Sequence, residues 1–192
     1  MIRCGDVLHN PVTGELIQFL KTSADTNGEY VEIEVVVEPN GFVAAAHVHP
    51  YQTERFTIVS GTVTFKAGDR EFTALPGEEV VVEPGTPHKF WNEGAEDARF
   101  RCKISPALSF ESLIETMFGL ANDGKTNKKG MPNPLRLAVI AKAHFDTVRL
   151  PFPPDWMQAA GLAVGAPLGK LLGYEATYEG KDEQVPAVPA VA

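Results

Sequence analysis

The sequence predicts a mainly β fold: a small antiparallel barrel or sandwich over residues 1–108, with an α-helical extension over 109–178. Three observations predict it. Up to Ser105, short runs of branched and aromatic residues alternate with polar ones between glycine and proline turns. After Pro106 the apolar residues fall three and four apart instead of two. Finally, Gly161, Gly165, Gly169 and Gly173 recur at four-residue spacing among alanine, leucine and valine, which suits a helix face. Residues 179–192 are rich in proline and alanine and read as a disordered tail.

The elements follow in order. Val31–Val37 alternates and is rich in branched residues, as a half-buried strand requires. Pro39, Asn40 and Gly41 mark a turn. Residues 55–60 alternate into Gly61, and 62–66 return from it to a turn at 67–70. Residues 80–82 form a buried run before the turn at Pro84 and Gly85. At 99–104, Phe100, Cys102 and Ile104 share one face, with Arg99, Arg101 and Lys103 on the other. Beyond Pro106, Phe110, Leu113, Ile114, Met117 and Ala121 fall at helical spacing, capped by Ser109 and ended by Asp123 and Gly124. Asn133 and Pro134 open a second helix whose stripe is Leu137, Ile140, Ala141, His144 and Val148. Such a stripe predicts core contacts, and His144 is expected to pack or hydrogen-bond. The stretch from Asp155 to Tyr174 predicts a small-residue helix, partly formed, packed on the barrel or on a second subunit.

Composition narrows the function classes. The chain has 192 residues and a formal net charge of −8, which argues against nucleic acid as a partner. Pro167 and Lys170 interrupt the glycine-rich run, which argues against a membrane span and leaves peripheral membrane contact as the lesser reading. Only Cys4 and Cys102 are present, and no apolar run follows Met1. Free thiols and a cytoplasmic location are the expectation.

Two runs carry the chemistry. The first holds Gly41, His47, His49, Glu54 and Gly61; the second holds Gly77, Gly85, Pro87, His88 and Asn92. Neutral imidazole nitrogens and a carboxylate oxygen are donors for a divalent transition metal. On a strand, His47 and His49 would leave the same face. The pattern and its glycine punctuation resemble the two signatures of the cupin superfamily, over roughly residues 30–105. One position departs: Glu83 stands where the family often has proline, which here has moved to Pro84.

The resemblance implies a cupin-like antiparallel β-barrel of double-stranded β-helix, or jelly-roll, type, with a metal in its mouth. It implies His47, His49, Glu54 and His88 as ligands of one divalent ion (Fe, Mn, Ni, Co, Cu or Zn), and it implies a homodimer. Phe56, Ile58 and Phe90 share strand parity with ligands and are expected to line an apolar cup, with Tyr51 nearby. Val31, Ile33 and Val35 are candidate wall residues. Such a cup suits a small organic molecule that chelates the metal through oxygen. Glu54 is a candidate base as well as a ligand. The leading expectation is a metal-dependent enzyme, oxygenase-like. The alternatives are a metal-dependent isomerase, a non-catalytic binding or sensing module, and a metal that serves only as a structural staple.

Overall fold

The computed structural model of the chain describes residues 2–180. The strands are β1 (Val7–Asn10), β2 (Glu15–Lys21), β3 (Val31–Val37), β4 (Thr53–Ser60), β5 (Val63–Ala67), β6 (Arg70–Ala74), β7 (Glu79–Val82), β8 (His88–Trp91) and β9 (Ala98–Ser105). They form a six-stranded sheet in the order β1-β2-β3-β9-β4-β7 and a three-stranded sheet in the order β6-β5-β8. Every pairing is antiparallel. The ladders do not close into one continuous barrel. The two sheets instead face each other as a cupin-like jelly roll, and the segment between β3 and β4 bridges to β8 at Phe42 with Trp91 and at His47 with His88.

Register explains the core. Ile17 lies opposite Val35, Val35 opposite Phe100, and Phe100 opposite Ile58. The next row runs Phe19, Ile33, Cys102 and Phe56. Because side chains alternate, both rows face the same way. Across the gap, Phe56 meets Phe65 edge-on at 5.1 Å between ring centroids and Phe90 at 6.2 Å. Arg99 does point away from this core, as expected, but it is buried in an ion pair with Glu34 at 3.4 Å. Strands β1, β2 and β6 had no separate sequence signal; in β2 the alternation begins with a glutamate on the inward face.

Three helices follow: α1 (Phe110–Asn122), α2 (Pro134–Ala143) and α3 (Asp155–Leu171). Ser109 stands at the N-cap of α1 but makes no cap bond. Its hydroxyl instead meets His144 Nδ1 and the Thr147 hydroxyl, both at 2.7 Å. Asn133 does cap α2, its side chain accepting from the Arg136 amide. That helix ends at Ala143, so His144 is its C-cap and Val148 lies beyond it. His144 is buried and hydrogen-bonded, as its place in an apolar stripe suggested.

The glycines of α3 have a visible use. A Cβ at Gly169 would sit 2.5 Å from the Leu135 carbonyl oxygen, and one at Gly165 would sit 3.1 Å from Ala138 Cβ. Their absence lets α3 lie directly on α2, and α3 is helical throughout, with Pro167 inside it. The other side of α3 is exposed and apolar, with Trp156, Val164, Leu168 and Leu171 in the open. No helix among the described residues is long and apolar enough to cross a membrane. Of the expected tail, residues 181–192 lie outside the described residues; Gly180 is described, and its backbone packs on Gly119 of α1.

Candidate metal centre

His47, Val48 and His49 form an extended segment between β3 and β4, outside the nine strands. Backbone bonds hold it on both sides. His47 and His88 exchange N–H···O bonds of 3.0 and 2.9 Å, and Val48 and Arg149 exchange two of 2.9 Å. The i, i+2 geometry expected of a strand survives, and the two rings stand 4.9 Å apart. His88 opens β8 after the turn at Gly85, whose φ of 80° is open to glycine at no steric cost. The Gly85 amide donates to the His49 carbonyl at 2.9 Å, which ties that turn to the histidine segment. Glu54 comes from β4, at the end of the inward row, opposite Val82 and Ile104.

These four side chains converge. One donor atom from each lies within 4.8 Å of all the others. His88 Nε2 is 2.7 Å from Glu54 Oε2, and His49 Nε2 is 3.5 Å from Glu54 Oε1. The outer nitrogens settle the tautomers. His47 Nδ1 lies 2.9 Å from the Ala45 carbonyl oxygen, His49 Nδ1 2.6 Å from that of Thr147, and His88 Nδ1 3.0 Å from that of Thr86. A carbonyl can only accept, so each Nδ1 carries hydrogen, and in the neutral ring each Nε2 lone pair faces the centre. Glu54 Oε2 and His88 Nε2 are buried with no well-formed hydrogen bond. Three imidazole nitrogens and one carboxylate converging in a buried cluster fit a divalent metal ion.

The electrostatics of His47 and Glu54 agree, whereas His88 is drawn toward its protonated form by Glu54. Burial, then the neighbouring His88 and His49, pushes the His47 imidazole down to about 3, so it is neutral near pH 7. Burial alone would raise Glu54, but the three imidazoles outweigh it and hold the carboxyl at about 2. Burial lowers His88 while Glu54 raises it, and Glu54 prevails. The Cys102 thiol is raised by burial and by Glu54, which keeps it protonated and unreactive. Cys4 and Cys102 are both free thiols.

The cluster opens into a cavity of about 1100 Å³. Phe56 and Phe90 line it, as do Ile33 and Val35. Three expected lining residues do not, the first being Val31, which is sealed in the core. Ile58 shares the parity of Glu54 and Phe56 but lies farther along β4, sealed in the core. Tyr51 precedes β4 in a bend and is 57% exposed, with the Arg149 guanidinium 5.7 Å from its ring centroid. Gln52 is buried and donates to the Pro106 and Ala107 carbonyls, so it clamps the β9–α1 connection. Asn92 donates to the Val37 and Glu96 carbonyls and fixes its hairpin.

Sequence reasoning missed three contributors. Thr147 supplies the carbonyl behind His49, and every residue has a carbonyl, so no side-chain signal marked it. The inward faces of α1, α2 and α3 line the cavity; a helical stripe shows which face is covered, not whether a void lies beneath. Glu15, buried on β2 and lining the same cavity, has its carboxyl pushed up to about 7 by burial, against a lowering bond from Thr13.

Two facing antiparallel sheets with a three-histidine, one-glutamate cluster between them define a jelly roll with a candidate metal site. Residues 33–104 match the family model of the cupin domain, so this segment is a cupin domain. It is 38% identical over 151 residues to an oxidoreductase of Arthrobotrys oligospora, a match spanning 72% of this chain and 59% of that protein. Among solved structures it is similar to a predicted oxalate decarboxylase from Thermotoga maritima. That likeness has TM-score 0.48 and 18% identity, and covers 55% of this chain and 98% of the other. It is also similar to a double-stranded β-helix protein from Klebsiella pneumoniae, with TM-score 0.43 and 19% identity over 56% of this chain and 83% of the other.

Proposed function

We propose that this chain is a metal-dependent oxidoreductase, oxygenase-like in class, acting on a small organic molecule that chelates the metal through oxygen. The observation that carries this reading is the set of three Nε2 lone pairs and one carboxylate facing a large cavity. His47, His49, Glu54 and His88 would hold one divalent ion, drawn from Fe, Mn, Ni, Co, Cu and Zn. When bound, such an ion supplies Lewis acidity and, for the redox-active members, an electron source for reaction with dioxygen. The oxidoreductase relative supports the redox class over an isomerase.

The protein's own residues orient and exclude. The carbonyls of Ala45, Thr86 and Thr147 fix the imidazole rings. Phe56, Phe90 and Phe100 wall the cavity with hydrocarbon and keep bulk water from the reacting atoms. Glu54, held at about 2, is a poor proton acceptor near neutral pH, which supports its role as ligand over its role as base. Oxygen uptake by metal-loaded protein with chelating phenols, enols and thiols tests the reading. Uptake abolished by His47→Ala is the expected result; saturable ligand binding with no uptake and no product would instead make it a binding module.

The chain is further proposed to act as a homodimer. The exposed apolar row on α3 supports this, because isolated subunits rarely leave such a surface uncovered. Asp155 opens α3 and Lys170 lies in its last turn. Two copies of α3 packed antiparallel would bring each Asp155 near the other copy's Lys170.

A further inference from the structure

At about 1100 Å³ the cavity exceeds the roughly 300–1,000 Å³ typical of small-molecule sites. The four ligand-type residues account for only one part of it. Its floor is hydrocarbon from the two sheets, and its far wall comes from the helical extension. Ile114 and Met117 of α1, Leu137 and Ala141 of α2, and Leu162 of α3 line it while only half-buried. They are apolar side chains that face inward yet lack full cover, so an apolar body placed against them would remove their surface from water.

The polar lining groups are mostly committed elsewhere. Arg149 is paired with Asp155 and Asp146. Lys125 is bound to Tyr178 and Asp123. The Gln158 amide donates to the Leu150 and Pro153 carbonyls and accepts from the Leu150 amide. Asn10 and Asn127 accept backbone amides of their own turns. The Thr126 hydroxyl, buried and without a partner, and the Glu15 carboxyl remain. A sugar or a short diacid would find few partners beyond the metal-type cluster.

We propose that the helical extension is the recognition wall for a bulky, largely hydrocarbon substrate body, whose oxygen-bearing end reaches the His47–His49–Glu54–His88 cluster. The chelating end of this proposal rests on the metal reading above; the hydrocarbon body does not.

The test compares two ligands with the same chelating head. Salicylate and 3-hydroxy-2-naphthoate each carry an ortho hydroxy acid, and the naphthoate adds one fused ring. Both are titrated calorimetrically into protein as purified and after Co(II) reconstitution. The naphthoate is expected to bind at least tenfold more tightly. Ala141→Phe, which fills the space under α2, and Leu137→Ala, which removes wall, should each erase most of that preference while Co(II) content and melting temperature stay unchanged. Equal affinities in the unaltered protein, or binding of neither ligand, would overturn the proposal while leaving the metal site standing. So would a preference that survives in both variants. In His47→Ala/His88→Ala the metal is lost, yet the naphthoate should still outbind salicylate. A chain that binds no metal but keeps that preference separates failure of the metal reading from failure of this one.

Discussion

Glu15 and Glu54 are two buried carboxyls driven in opposite directions. Glu54 is surrounded by imidazoles and stays ionised; burial outweighs a bond from Thr13 and raises Glu15 to about 7. A raised folded value means that the native state holds its proton where the unfolded chain has released it. Stability from Glu15 is therefore present below about 4.5 and falls as pH rises through about 7, by roughly 3 kcal/mol in all. Glu15→Gln should remove that fall. Urea unfolding at pH 5 and pH 8 checks it: a variant that loses as much stability between the two pH values as the parent would be the contrary result. Residue by residue, the cluster was legible because its chemistry lies in side-chain identity and spacing. Glu15 was not, since nothing in the sequence around it says which face of β2 turns inward.

Among the elements, the segment after α2 couples the helical extension to the histidines. Thr147 presents its carbonyl to His49 and anchors itself through its hydroxyl to Ser109. Thr147→Val removes the anchor and keeps the shape. Metal affinity should fall by about tenfold, the lower end of what loss of an outer-shell partner costs, measured by competition with a chromophoric chelator. Unchanged affinity would mean that the backbone bridge to Val48 suffices. The α2–α3 contact makes a second prediction. Gly169→Ala forces a Cβ to within 2.5 Å of the Leu135 carbonyl oxygen. The clash should cost about 1–3 kcal/mol, seen as a melting temperature lower by about 2–4 °C for each kcal/mol. The four-residue glycine spacing foretold a close helix approach but not its partner. The strand periodicities of β3 and β9 were plain, whereas β1 is only four residues long and β2 begins with a glutamate, a poor strand former.

For the whole molecule, the sequence foretold a jelly roll with helices appended, and the structure adds that the helices enclose the space the jelly roll leaves open. That relation is tertiary: no stripe in α1, α2 or α3 records the void it faces. The other side of α3 is the proposed dimer surface. Val164→Glu/Leu168→Glu should convert a dimer to a monomer by light scattering, with the metal content preserved. A parent chain that is already monomeric at tens of micromolar would refute that surface.

The central proposal is that His47, His49, His88 and Glu54 hold one ion. Its most direct test is elemental analysis of protein purified without added metal or chelator, beside a His47→Ala/His88→Ala variant. About one equivalent of a single transition metal per chain, absent from a folded variant, is the predicted result. No metal in either protein, both folded and both refusing to be reloaded, would contradict it.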